Sequence, residues 1–237
     1  MRFERPLVQG VLLARRKRFF ADVALEGGVE VVAHCANPGR MTSAAEPGWR
    51  VWCSPADPVA LSTGKRKLAW NLELVEAQPS GALLLVNTAR PNGIVAEAIA
   101  AAQIPELLGY LSQRAEVRYG ENSRVDLLLE GEEGRCYVEV KNATLLLAPG
   151  LAGFPDAVSA RATKHLGDLA QVVAEGHRGV MFSLCRSDAA RLAPAEQIDP
   201  AYASAYRAAL KAGVESIAYQ VIASAEGLRL GPRVETA

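Results

Sequence analysis

Apolar residues recur along this chain in two different rhythms. Up to residue 84 they form short runs at 7–13, 19–25, 29–34, 49–53 and 70–75. Between them lie Glu26-Gly27-Gly28, Asn37-Pro38-Gly39 and a stretch from Pro55 to Pro58. Many short strands with turn residues at this spacing predict a small β-barrel, with the five-stranded oligonucleotide-binding (OB) fold as the leading candidate. The pattern then changes. A strand at 83–86 precedes a helix at 92–104, a β-hairpin at 123–141, a helix beginning at 156–158 and ending at 174, a strand at 179–185, a helix at 200–212 and a strand at 217–222. Asp199, Pro200 and Gly213 punctuate the last helix as N-cap, first-turn proline and stop. Strands alternating with helices predict a mixed sheet covered by helices. The expectation is a two-domain α+β and α/β chain: an OB-like barrel over 1–84 and a mixed-sheet domain over 85–237.

The hairpin, SRVDLLLEGEEGRCYVEVK, carries the chemistry. Two alternating runs flank Gly131-Glu132-Glu133-Gly134, a turn-like segment. If the turn closes symmetrically, Asp126 falls opposite Glu139, and Lys141 shares the face of Glu139 because side chains alternate along a strand. Directly opposed residues have Cβ atoms roughly 4.5–5.5 Å apart, where like charges repel. The other face is expected to carry Val125, Leu127 and Leu129 against Cys136, Val138 and Val140. Opposed carboxylates on an interior strand pair call for a cation. The simplest is Mg²⁺, or Mn²⁺ in its place, held by Asp126 and Glu139.

Such a site polarises a phosphoryl oxygen and lowers the pKa of a bound water, while Lys141 orients that water and offsets transition-state charge. Asp, a spacer and then Glu-x-Lys is the pattern of the PD-(D/E)xK nuclease superfamily. Taken alone the pattern is weak, and a solvated hairpin face would also produce it. Nuclease-like domains often place an extra acidic ligand in a helix before the sheet, which makes Glu97 a further catalytic candidate. Asp156 reads either as a ligand or, more simply, as a helix N-cap.

Charge modifies this picture locally. The 26 basic and 26 acidic residues cancel overall, which argues against a protein that coats nucleic acid. Residues 1–80, however, carry 11 Lys/Arg against 8 Asp/Glu. Within them, Arg15, Arg16, Lys17 and Arg18 precede Phe19-Phe20, and Lys65-Arg66-Lys67 precedes Trp70, a combination suited to tracking phosphates and stacking bases. Arg124, beside the hairpin carboxylate, could reach a phosphate or neutralise that carboxylate. Four scattered cysteines show no metal-binding spacing. No apolar run approaches the roughly 20 residues of a membrane helix. The N-terminal MRFERPLVQG has no signal-peptide core, so a cytoplasmic protein is expected.

The motifs KRFFADV, HCANPGRM, LVNTARPN, YGENSRVDLLL, YVEVKNATL, FPDAVSARATKHL and IDPAYA together resemble the sugar fermentation stimulation protein A (SfsA) family, in order over almost the whole chain. Family members usually have HCPNTGSM and TERGQKHL where this chain has HCANPGRM and SARATKHL. The resemblance implies the OB-like barrel, a PD-(D/E)xK nuclease-like domain, DNA binding and an association with regulation of sugar use, notably maltose metabolism. On the helix ending at 174, Arg161, Lys164, His165 and Asp168 lie three or four apart and share a face. The first three could hold a phosphate, or Lys164 could simply pair with Asp168. The expected partner is DNA, with a homodimer left open. Two functions remain in view: a Mg²⁺-dependent DNA phosphodiesterase, or a non-cleaving DNA-binding regulator.

Overall fold

A computed structural model describes residues 1–119, 123–132 and 134–237. The first sheet contains β1 (Val8–Arg16), β2 (Phe20–Leu25), β3 (Glu30–His34), β4 (Arg50–Pro55), β5 (Trp70–Glu76) and β6 (Leu83–Leu85), with the short helix α1 (Pro58–Ser62) between β4 and β5. The order β3-β2-β1-β4-β5 closes on itself through a parallel β3–β5 pairing. This is the expected five-stranded OB barrel, and closure leaves those strands without an open edge. Alternating residues fill its interior, among them Leu12, Val23, Ala33, Val51 and Leu72.

The β1–β2 hairpin turns through Lys17 and Arg18, whose φ values of 48° and 65° lie in the left-handed region. That conformation costs a non-glycine residue roughly 1–2 kcal/mol. The guanidinium of Arg15 braces the turn, donating from Nε and Nη2 to the Arg18 carbonyl at 3.2 and 2.9 Å.

The chain continues through α2 (Pro91–Ala100), β7 (Ser112–Tyr119), β8 (Ser123–Gly131), β9 (Gly134–Ala143), β10 (Leu145–Ala148) and β11 (Leu151–Phe154). It then forms α3 (Ala160–Ala174), β12 (Arg178–Cys185), β13 (Arg191–Pro194), α4 (Pro200–Lys211), β14 (Glu215–Ala223) and β15 (Leu228–Thr236). The described strands form one mixed sheet in the order β10-β11-β13-β15-β14-β12-β9-β8-β7. At its centre β9, β12 and β14 run parallel, joined by α3 and α4 as crossovers. Strand β12 is covered on both faces and accordingly reads as a nearly unbroken apolar run. This is the expected mixed sheet covered by helices.

α3 and α4 cover one face, packing Leu166, Leu169, Tyr202 and Tyr206 on Leu128, Tyr137 and Met181. α2 covers the other, with Ile94, Val95 and Ala98 against Leu127, Val138, Phe182 and Tyr219. Leu74 and Leu85 of the first sheet belong to that same cluster, so a shared core joins the barrel to the mixed sheet. A buried ion pair adds to the junction. Glu73 of β5, fully buried, accepts from Arg90 at 2.8 and 3.1 Å, and also from Ser54 and Asn87.

Two helix boundaries differ from expectation. α3 starts at Ala160 with Ser159 as its cap, accepting from the Ala162 N–H, so Asp156 is not the N-cap. α2 ends at Ala100 rather than near 104. Asp199 caps α4 as expected, ahead of Pro200. Gly213 follows with φ 97°, a left-handed stop that a side chain would strain. No helix among the described residues is long and apolar enough to cross a membrane.

Candidate active site

The β8–β9 ladder runs in the symmetric register, from Gly131 opposite Gly134 to Leu127 opposite Val138. At Asp126 the backbone pairing gives way to a side chain. Its Oδ2 accepts the Val140 N–H at 2.8 Å, and its Oδ1 accepts from Asn92 Nδ2 at 2.8 Å. The alternation breaks there too. Leu127 and Leu129 pack with Cys136, Val138 and Val140 as expected, but Val125 turns to the opposite face with Leu128 and Tyr137. The expected single apolar face is thus corrected at Val125, because Asp126 replaces a ladder hydrogen bond at that point.

Glu139, 2% exposed, stands on the α3 face of β9. Its Oε1 accepts from Lys141 Nζ at 2.5 Å and bonds to His165 Nδ1 from α3. His165 Nε2 accepts from Arg161 Nε at 3.4 Å, which assigns the remaining imidazole proton to Nδ1 and makes it the donor to Glu139. The other carboxylate oxygen, Oε2, is buried with no hydrogen-bond partner among the described residues. A buried acceptor left unpaired costs about 1–3 kcal/mol, so this atom is an unmet demand for a donor or a cation.

Burial pushes the Asp126 carboxyl above the ordinary aspartate range, and the charge of Glu139 pushes it further. Burial also opposes ionisation of Glu139, but the hydrogen bond from His165 and the ammonium of Lys141 outweigh it and hold that carboxyl below its ordinary value. Two neighbouring carboxyls driven apart in this way are a common feature of catalytic sites. Tyr119 lies close to the same charges. Burial, then Glu139, Asp168 and Asp126, push its phenol up, and its hydroxyl is unpartnered among the described residues.

Lys141 and Asn92 open onto a cleft of about 480 Å³ between the barrel and the mixed sheet, with Arg18 and Arg161 also on its wall. The donor set fits a hard divalent cation, which takes one or two carboxylates and completes its shell with water and phosphate oxygens. The described residues contain no group of three or more His, Cys, Asp or Glu arranged to hold a metal.

The other sequence candidates fall in different places. Glu97 is corrected: it pairs with the N-terminal ammonium at 2.6 Å and is 58% exposed. It follows Asn92 by five residues, about 7.5 Å along the helix and 140° around it, so it leaves the hairpin to Asn92. Arg15 is taken up by carbonyls, donating also to Asn37, Gly39 and Arg40 at 2.7–2.8 Å. Arg16 forms a fork with Asp22. Lys17 and Arg18 remain exposed at the hairpin tip, while Arg66 of the second basic cluster bonds Asn71. Arg124 is exposed on β8 opposite Arg118 of β7.

The expected basic face of α3 is split. His165 bonds Glu139 and is itself met by Arg161, whereas Lys164 pairs with Asp168 at 2.7 Å and bonds Ser123 at 2.6 Å.

A family model described as the SfsA N-terminal OB domain matches residues 13–86. A second, the sugar fermentation stimulation protein RE domain, matches residues 89–227. The chain belongs to the SfsA family. The sugar fermentation stimulation protein homolog of Paramagnetospirillum magneticum is 52% identical over 98% of this chain and 95% of its own. That of Geobacter sulfurreducens is 48% identical over 97% and 96%. Pyrococcus furiosus SfsA, solved in complex with Ca²⁺, superposes with a TM-score of 0.88 at 26% identity, covering 100% of this chain and 98% of that one.

In this SfsA-family chain, sequence reasoning missed Asn92, and it weighed Asp156 only as a metal ligand or helix cap. Asn92 had one signal: a polar residue just after the helix-opening Pro91, on a helix otherwise apolar toward the sheet. Asp156 accepts the Met41 N–H at 2.8 Å across the cleft, a contact that no local pattern encodes.

Proposed function

We propose that this chain is a divalent-metal-dependent DNA phosphodiesterase of PD-(D/E)xK type. The observation that carries the reading is the buried, unpartnered Oε2 of Glu139, a carboxylate whose charge acts on Asp126 and which is bonded to Lys141 on the wall of the cleft. Asp126 and Glu139 would hold Mg²⁺ or Mn²⁺. The Ca²⁺ complex of the Pyrococcus furiosus relative supports a divalent ion in this family. When bound, such an ion polarises a phosphoryl oxygen and lowers the pKa of a coordinated water.

The chain's own residues supply the rest. Asn92 and the Val140 N–H fix the orientation of Asp126. His165 and Lys141 fix Glu139. Lys141 is the cation nearest the pair, placed to offset charge that builds on the phosphoryl group. Arg161, exposed at the mouth and steadied by His165, holds a DNA phosphate.

Labelled single- and double-stranded DNA with Mg²⁺, Mn²⁺ or chelator tests the reading. Cleavage requires the metal, and Lys141→Ala lowers it by about 10²–10⁴-fold while leaving binding nearly intact. A protein that cleaves nothing with any divalent ion and binds DNA equally well in chelator is not a nuclease.

A second reading, a non-cleaving DNA-binding regulator of sugar metabolism, draws on a specific observation. Lys141 and His165 already satisfy one oxygen of Glu139 without metal, and no third ligand joins the pair among the described residues.

A further inference from the structure

A loop of the barrel roofs the cleft, lining it with Asn37, Pro38 and Gly39. Asn37 anchors this loop to the main chain, donating to the Val86 carbonyl at 3.0 Å and accepting from the Gly39 N–H at 2.9 Å. The Arg15 guanidinium gathers the carbonyls of Asn37, Gly39 and Arg40 on the same loop. At its far end the loop is tied to the mixed sheet, where the Met41 N–H donates to Asp156 Oδ2 at 2.8 Å. Gly39 lies so close to Asp156 that a Cβ there would sit 2.4 Å from a carboxylate oxygen. A loop held at both ends and along its backbone is a fixed roof over the route to Lys141.

The roof limits what can enter. A space of 480 Å³ equals a cube about 8 Å on edge, too small to enclose both strands of a duplex, whose backbones stand about 12 Å apart across the major groove alone. The lining is divided in its chemistry. Arg18, Lys141 and Arg161 are cationic, while Pro38, Phe154 and Val158 present apolar surface. Cations beside apolar faces match a strand whose phosphates and base faces are both accessible, and pairing hides those faces in a duplex. Glu139 and most of Lys141 lie below the surface, at 2% and 13% side-chain exposure, so the phosphate must come down to them.

We propose that the substrate of this site is an unpaired DNA strand, a single strand or the single-stranded tail of a duplex, passing under the roof formed by the Asn37, Gly39 and Met41 loop tied to Asp156. The inference rests on the reading of the cleft as the DNA site and names its substrate class.

Fluorescence anisotropy in chelator and in Ca²⁺ tests it with three labelled probes: a single strand, the blunt duplex of the same sequence, and that duplex with a single-stranded tail. The single strand and the tailed duplex are expected to bind about tenfold tighter than the blunt duplex, the size of one stacked base. Val158→Glu, at a position 77% exposed and so harmless to the fold, weakens the single strand about fivefold and leaves the blunt duplex unchanged. Asp156→Ala, which unties the roof, narrows the ratio between tailed and blunt probes. Equal affinity for blunt duplex and single strand overturns the proposal, as does single-strand affinity indifferent to Val158→Glu. These are binding readouts. Failure to cleave with any metal sinks the phosphodiesterase and leaves the strand preference standing, whereas equal binding of the probes sinks the preference and leaves cleavage standing.

Discussion

The unpartnered oxygen of Glu139 turns metal binding into a stability measurement. A ligand that binds only the folded chain stabilises it by RT ln(1 + [L]/Kd), about 2.7 kcal/mol at a hundredfold excess over Kd. In a chain of 237 residues, each kcal/mol moves Tm by about 2–4 °C, so that excess of Ca²⁺ or Mn²⁺ raises Tm by about 5–11 °C. The perturbation is Glu139→Gln. It keeps the side-chain volume but removes one of the two negative charges and can place an amide where Oε2 was orphaned. If Kd rises a hundredfold, the same metal concentration contributes only RT ln 2, about 0.4 kcal/mol, or 1–2 °C.

Thermal unfolding followed by circular dichroism, at constant ionic strength and across a metal titration, reads both quantities. Each protein is referred to its own Tm in chelator, because the variant also takes the negative charge out of the bonds that Lys141 and His165 make to Oε1. The reasoning is refuted if the variant gains the same shift as the parent, or if the parent gains none at metal concentrations that saturate other carboxylate pairs.

Four further outcomes follow from the same geometry. Burial and the charge of Glu139 raise Asp126, so Asp126 takes up its proton at a higher pH than an unfolded aspartate; the metal-induced Tm gain therefore declines on acidification while still above the ordinary range near ~4, as a titration of Tm against pH at fixed metal shows. Glu139 is held low, so the stability it contributes to the metal-free chain is present above the ordinary carboxylate range and disappears only as pH falls below it, measured as urea midpoints in chelator. Arg90→Met strands the fully buried Glu73 and costs about 3–5 kcal/mol by urea unfolding, while Glu73→Gln in that background recovers part of it. Lys17→Ala with Arg18→Ala removes about 0.7–0.9 per phosphate contact from the log–log salt slope of DNA binding, whereas Arg15→Ala lowers stability because its donors already serve four backbone carbonyls.

The amino-acid sequence alone determines those features that depend on short-range periodicity. The barrel strands are legible because each is a brief apolar run closed by Gly or Pro, and Asp199-Pro200 announces α4 through local capping chemistry. Strand parity from one turn nominates Asp126, Glu139 and Lys141, but that parity holds only as far as Leu127 opposite Val138 and gives way at Asp126, whose carboxylate takes the Val140 N–H. Strands outside those rhythms escape. β7 reads QRAEVR across its middle, charged and exposed at a sheet edge, and β15 contains Gly231 and Pro232, so neither carries an apolar alternation. Only the tertiary structure decides which charges are free. Arg15 looks like a phosphate ligand until four carbonyls converge on it, and Glu97 looks like a metal ligand until the N-terminal ammonium reaches it. His165 becomes the support of Glu139 because the α3 crossover lays one helix turn over β9. The roofed cleft has no counterpart in sequence, since Met41 and Asp156 are 115 residues apart. Hydrogen bonds and ion pairs depend on distance in space, and that distance is set only when the shared core of barrel and sheet has packed.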